Sequence, residues 1–416
     1  MSTVSASSPL PRGLRGYGVL LSRNAAYRTL WAGSLVSQMG DWFNTIALLG
    51  LLVELTGNPG SASLALVLQT LPLAFAGLFL SGPVVDRFDR RRVLVVANLA
   101  RGAVGLSYLM VRDPSTVWLA YLATAGLSFG AAFVQPALLA ATPNLVTPEE
   151  LPTANALNQS TFATTLFLGS FLGGVVAQAL GRETAFVLNA LSFWASALFI
   201  SRVRAPFSSA RDHAATSATT LRLLVEGVQY LARNVTARTY VSVKLAQPIS
   251  FGAISLFSAY ALFVYDVGDI GTSWLYAARG LGAFFGPLLV NTLLAPDRRD
   301  VLRWLVKGGL LVNAAGYTLF ALSTHLWQGV LSVLLAHLGA ACVWTFSTVI
   351  LQASTPDHYR GRVMALDSVT FSVAYSASVL VTGAIAAAFG PQVGALAAAL
   401  SGGACGLLWI IATWKL

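Results

Sequence analysis

Asp41, Arg101 and His337 are ionisable side chains set inside long apolar stretches, and that placement is the first chemical signal in this sequence. A carboxylate at the centre of a bilayer costs at least about 2.5 kcal/mol unless it is paired, hydrated or protonated. At about 1.5 Å rise per residue, Asp41 lies roughly 16 Å along a helix from Leu30, near the midplane. A carboxyl group whose surroundings alternate between a dry pocket and a nearby cation can load and release a proton. Asp41 reads as the one acid well inside a span, with Arg101 the basic residue nearest to it in depth. The two would serve either as a titrating site or as a fixed structural pair. His337, about ten residues into its own span, titrates naturally near neutrality and could relay protons; a neutral histidine hydrogen-bonded to a neighbouring helix is the plainer alternative. Lys244 sits near one end of its span and reads as snorkelling to the headgroups, with no function needed. Arg279 reads as shallow, near the outer end of its helix.

The elements that must position these groups follow from composition. Hydrophobic residues make up 56% of 416 positions and charged residues 10%, against about 25% charged in an ordinary soluble domain. Such a chain cannot cover a water-facing surface, so lipid is its main solvent. Spans of about 20 apolar residues are predicted at 29–55, 61–83, 92–111, 116–141, 155–180, 184–201, 239–264, 271–294, 301–322, 327–351, 363–388 and 392–413. Assigning alternate gaps to two sides puts twenty Lys and Arg with both termini and two, Arg112 and Arg182, on the other side; Arg101, Lys244, Arg279 and Lys307 remain inside spans. Basic residues accumulate in cytoplasmic loops, so both termini are expected in the cytoplasm. The net charge of +10 is spread through the gaps rather than gathered on one face, which argues against nucleic acid. Two cysteines inside apolar runs, Cys342 and Cys405, support neither a disulfide framework nor a metal site.

The longest polar gap, 202–238, divides the spans six and six. Within it Leu221, Leu224, Val225, Val228 and Leu231 recur at helical spacing opposite Arg222, Glu226 and Arg233, which predicts an amphipathic linker helix. The expected layout is a cytoplasmic leader at 1–28, a six-helix bundle at 29–201, the linker at 202–238 and a second bundle at 239–413. The halves repeat. Ser81-Gly82-Pro83 ends the second span and Phe285-Gly286-Pro287 the eighth, while Ala156-Leu157-Asn158-Gln159-Ser160-Thr161-Phe162 is echoed by Ala365-Leu366-Asp367-Ser368-Val369-Thr370-Phe371. Two matched six-span halves describe a transporter built from repeats, with its site near the midplane between them.

Gly82-Pro83-Val84-Val85-Asp86-Arg87-Phe88-Asp89-Arg90-Arg91 resembles the signature between spans two and three of the major facilitator superfamily, with Asp89 where the family usually has glycine. Arg28 to Asp41, Ala185 to Phe193, Glu226 to Leu231 and Gly361 to Ala365 resemble the bacterial branch that holds macrolide efflux proteins and the enterobactin exporter. The resemblance implies an all-α polytopic fold of twelve transmembrane helices in two pseudo-symmetric halves. It also implies a gate in which Gly82, Asp86, Arg87, Arg90 and Arg91 make contacts in one conformation and lose them in another. Gly169-Ser170-Phe171-Leu172-Gly173-Gly174 is similar to an exporter motif with Ser170 in place of proline, although small residues at this spacing also serve close helix packing. In this superfamily spans one, four, seven and ten line the cavity, which makes Trp42, Asn44, Gln69, Gln135, Gln247 and Trp344 candidate substrate contacts. Aromatic faces with a few hydrogen-bonding groups suit large amphipathic molecules.

The expected activity is therefore proton-coupled efflux of an amphipathic small molecule, drug-, macrolide- or siderophore-like, by alternating access. An uptake symporter and an uncoupled lipid translocator are the alternatives. The expected partners are a small-molecule substrate, protons and the bilayer of a bacterial-type inner membrane, with the chain monomeric. No phosphate-cradling loop, metal-binding motif or nucleophile signature is present, so neither an enzyme nor a cofactor is expected.

Overall fold

The computed structural model describes residues 14–207, 220–294 and 299–414. Arg12, Arg211, Arg298 and Lys415 of the charge count lie outside the described residues, as do residues 1–13 of the expected leader and 208–219 of the expected linker.

Backbone polar groups in hydrocarbon must be satisfied within their own segment, so the apolar runs become helices. The first half contains α1 (Leu14–Arg23), α2 (Ala25–Thr56), α3 (Ser61–Phe79), the short α4 (Ser81–Arg87), α5 (Arg90–Gly105), α6 (Val117–Leu145), α7 (Leu151–Thr164), α8 (Ser170–Leu180) and α9 (Arg182–Arg202). A 3₁₀ turn, Leu106–Met110, extends α5, and a π-helical turn, Thr165–Gly169, joins α7 to α8 into one span. The second half contains α10 (Thr220–Arg233), α11 (Val235–Ser250), α12 (Phe257–Ala259), α13 (Gly268–Leu294), α14 (Arg299–Ala321), α15 (Leu326–Ser354), α16 (Asp357–Phe389) and α17 (Pro391–Ala412). Its first span runs from Val235 to Val264 through a 3₁₀ stretch, Phe251–Leu256, and a π turn, Tyr260–Val264.

Together these elements form twelve transmembrane crossings in two halves. Nine described helical segments are long and apolar enough to cross on composition alone. The other three crossings are α2, α13 and α14, of which α2 is diluted by interior polar residues such as Gln38, Asp41 and Asn44 and α14 by Arg303 and Lys307.

Pseudo-symmetry extends into details that motif matching did not reach. Asn24 caps α2 by accepting from the Tyr27 amide at 2.9 Å, and Asn234 caps α11 by accepting from the Ala237 amide at 2.8 Å. Four residues on, Arg28 donates back to the Leu21 carbonyl and Arg238 to that of Ala232. Each half thus opens with a short helix, α1 or α10, tied to its first span and packed on the start of its fifth, α7 or α16.

Within the first half α9 packs on α2 and α5, and α6 packs on α3 and α5; in the second, α15 packs on α13 and α14, and α11 on α16 and α17. The halves meet chiefly through α8 against α13 and α3 against α16. Small residues let them approach. A Cβ on Gly174 would lie 2.2 Å from the Ser273 Cβ, and one on Gly383 2.2 Å from the Ser63 hydroxyl. The Gly169–Gly174 stretch therefore has a packing role here, with Gly173 against the Phe43 backbone and Gly174 against α13.

Candidate functional site

α2 and α5 cross so that Arg101 meets Asp41 across sixty residues of sequence. One guanidinium nitrogen donates to both carboxylate oxygens, at 2.8 and 3.0 Å, and the guanidinium carbon lies 4.0 Å from the centre of the Phe193 ring. Gly130 of α6 makes room for this arginine, since a Cβ there would stand 2.8 Å from its Cγ. The arginine side chain is only 7% exposed while that of Asp41 is 40% exposed. The carboxylate faces a cavity of about 200 Å³ lined by Asn44, Thr45, Gln69, Tyr108 and Thr124 among others. Gln69 reaches Thr45 at 3.4 Å, and Tyr108 shares a hydrogen bond with Thr124 at 2.9 Å. An ion pair with one face in a polar cavity at mid-span is an arrangement that can exchange a proton.

The other candidates divide between open and packed positions. Trp42 comes within 6.0 Å of Tyr276, an aromatic contact between the halves. Gln135 is exposed on α6, and Trp344 is 41% exposed on α15 with its edge toward Phe371. Gln247 is buried and donates to the Ala340 carbonyl at 2.8 Å, tying α11 to α15. His337 is packed: Nδ1 lies 3.1 Å from the Val333 carbonyl, Nε2 3.5 Å from the Tyr317 hydroxyl, and the ring stacks on Phe251.

Three readings from sequence are corrected. Lys244 does not snorkel. Its side chain is fully buried, donates to Ser347 at 3.0 Å, lies 4.0 Å from the centre of the Trp344 ring and stands 3.8 Å from Asp367. Asp41 is not the only acid inside a span, because Asp367, ten residues into α16, is buried as well, and Asp269 at the start of α13 is buried by packing. Arg279 is not shallow: about three turns into α13, it lies half-buried 5.8 Å from the Tyr276 ring.

At the face that carries α1 and α10, the basic signature is built into the fold. Asp89 caps α5 by accepting from the Arg92 amide at 3.0 Å with φ −58°, a conformation that needs no glycine, which accounts for the departure from the usual motif. Arg90 is buried and donates to the carbonyls of Ala140 and Phe207, and Arg91 donates to that of Ala205 while covering the Phe207 ring. These two side chains thus hold the segment following α9. Gly82, Asp86 and Arg87 are exposed on α4.

At the opposite face Arg182 of α9 binds Glu54 of α2 at 2.6 Å and takes Asp269 of α13 in a two-point grip at 2.7 and 3.1 Å. This cluster joins the two halves, and with the α3 to α16 contact it closes that face.

A profile described as "Transmembrane secretion effector" matches residues 21–415, nearly the whole chain. The chain belongs to this family of major facilitator transporters. Its relatives include macrolide efflux protein A of Streptococcus pyogenes, 24% identical over 353 residues covering 84% of this chain and 86% of the relative. An uncharacterized MFS-type transporter of Mycobacterium tuberculosis is 28% identical over 375 residues, covering 84% and 82%. Among solved structures, a bacterial homolog of the human lysosomal transporter Spinster, inward-facing and unoccupied, superposes with a TM-score of 0.71 at 14% identity, covering 93% of this chain and 95% of that one. A mutant of the nucleoside transporter NupG superposes at 0.69 with 14% identity, covering 93% and 99%. These likenesses establish the fold: this is a multi-pass membrane transporter of the major facilitator type, and its family and architecture are those of transporters rather than enzymes.

Within that family frame, sequence reasoning missed Asp367, Asp269 and the pairing of Lys244. A signal was present for Asp367, which stands in the repeat exactly opposite Asn158. A carboxylate replacing a neutral amide at a matched position marks a difference between the halves. No sequence signal joined Arg182 to Asp269, which are 87 residues apart.

Proposed function

We propose that this transporter exports amphipathic small molecules in exchange for protons by alternating access. The observation that carries the reading is the Asp41–Arg101 pair, held at mid-span with its carboxylate open to a polar cavity while one face of the protein is sealed. The twenty-to-two division of basic residues supports cytoplasmic termini in a bacterial inner membrane. On that orientation the sealed face is the external one, and the conformation is inward-facing. Gly82, Asp86, Arg87, Arg90 and Arg91 then belong to the cytoplasmic gate, with Arg90 and Arg91 acting on the carbonyls after α9. Trp42, Asn44, Gln69 and Trp344 offer aromatic and hydrogen-bonding contacts around the central opening; Gln247 and His337 are packed and serve the scaffold. Export is supported by the efflux-named relative, and a monomer suffices because each half already supplies the partner of the other.

The test is proton-driven counterflow in inside-out vesicles, using ethidium and erythromycin as probes in cells lacking and overproducing the protein. Probe movement that dissipates an imposed proton gradient, and is abolished by a protonophore, is the expected result. Co-movement of proton and probe in one direction would establish the symporter instead, and protonophore-insensitive movement an uncoupled translocator.

A further inference from the structure

Asp367 and Lys244 form a second ionic site, in the half opposite Asp41, and its geometry differs from that of the first. Asp41 receives two short hydrogen bonds from a guanidinium. Asp367 is 1% exposed, its Oδ2 stands 3.8 Å from the Lys244 ammonium, beyond hydrogen-bond reach, and its Oδ1 has no hydrogen-bond partner among the described residues. The ammonium spends its contacts elsewhere, donating to the Ser347 hydroxyl and facing the Trp344 ring. A buried carboxylate that receives no hydrogen bond is poorly solvated as an anion, whereas its protonated form needs less from its surroundings.

The remaining neighbours do not supply the missing charge. Among helices packed on α16, α3 and α17 carry no charged residue and α10 presents Glu226, already held by Arg362 of α16 itself. The rest of α10's charged side chains are Arg222, paired with that same Glu226, and Arg233 at its far end. α11 contributes Lys244 with Arg238 turned back to the Ala232 carbonyl, and the adjoining 3₁₀ stretch contributes none. On α15 the titratable side chains are His337, packed against Phe251 and Tyr317, and Cys342. On α16, Asp357 and Arg360 pair with each other in the first turn.

We infer that Asp367 is a proton-carrying site of the transport cycle, with Lys244 as its electrostatic partner and Trp344 as the lid that opens it to the cavity. Trp344 is part exposed and covers the otherwise buried ammonium. Displacing that ring admits water to the pair, and the carboxylate then takes or gives up one proton while the lysine stays charged. The pair is sealed when the ring returns. With Asp41 in the other half, the cycle has a proton site in each half. This assignment deepens the proton-exchange reading above and rests on it.

The test uses the full chain in liposomes and reads two quantities. Infrared difference spectra between acid and alkaline buffer, without added substrate, report carboxyl protonation through the C=O stretch. Ethidium counterflow with and without an imposed proton gradient reports coupling. Because Asp367→Asn leaves the lysine buried without its partner, it is paired with the double variant K244Q/D367N, which removes both charges. Both variants are expected to lose one titrating carboxyl band that Asp41→Asn keeps, and the gradient is expected to accelerate ethidium movement at least tenfold less than in the parent protein. Asp367→Glu is expected to retain a shifted band. An unchanged carboxyl spectrum in K244Q/D367N, or gradient-driven counterflow equal to that of the parent, overturns the assignment while leaving proton exchange intact. If the parent itself shows no gradient-driven counterflow, the exchange reading falls and the coupling role of Asp367 with it.

Discussion

If the transporter works by the alternating access proposed above, the cluster of Arg182 with Glu54 and Asp269 is the contact whose loss should shift it between its two states. Asp269→Asn keeps the side-chain shape but replaces one acceptor oxygen with an NH₂ that faces a guanidinium donor. Of the bonds at 2.7 and 3.1 Å, at most one survives, and without its charge. Losing a hydrogen bond to a charged group costs about 1.5–3 kcal/mol, so the closed state should lose roughly ten- to hundredfold in population relative to the open one. The arginine is not stranded, because Glu54 still holds it at 2.6 Å within its own half. The variant should therefore fold and shift conformation rather than collapse. Spin labels on cysteines introduced at the exposed positions Thr56 and Thr324, one on each half at the closed face, with Cys342 and Cys405 replaced by alanine, report the opening as a longer distance population in pulsed dipolar spectra. Glu54→Gln is the control, since it breaks a contact inside one half only. An unchanged distance distribution in Asp269→Asn, or equal opening in Glu54→Gln, would refute the assignment of this cluster as the latch between halves.

Other expectations follow from the same packing. Asp41→Asn leaves Arg101 buried without its counter-ion, and because the carboxylate faces a cavity the loss should be about 1–3 kcal/mol, below the figure for a dry pair. The double variant D41N/R101Q should melt above the single one, and if it melts lower still the pair is not the source of the loss. Gly316→Ala should destabilise by about 1–3 kcal/mol, because its Cβ would meet the Ala336 backbone at 2.4 Å. Gly308→Ala, in open space on the same helix, should leave the melting temperature unchanged or slightly higher. Arg90→Ala removes the single guanidinium nitrogen that donates to both the Ala140 and Phe207 carbonyls, so proteolytic nicking after α9 should rise several-fold over the parent protein. Equal nicking rates would show that the segment is held by other contacts.

Span number and the six-plus-six repeat were determined by the amino-acid sequence alone, because each is local. Lipid demands a run of apolar residues, and basic residues mark the ends of those runs whatever the helices pack against. The depth of Asp41 and Arg101 was equally legible, since depth is distance along one helix. The Asp89 cap was not foreseen as such, although aspartate is a common capping residue, because the family motif drew attention to the missing glycine. Partnership was the part that tertiary structure decided. Asp367 lies four residues past 363, where hydropathy placed the start of its span, and it was counted in the repeat but not among the acids well inside a span. Lys244, placed by depth alone near a surface, was read as reaching for water. Both readings failed for one physical reason: helices longer than their apolar cores carry their ends into protein, where the neighbouring helix is the solvent. Whether a charge is hydrated, paired or covered by an aromatic ring then depends on which helix stands beside it, and no periodicity along a single helix encodes that.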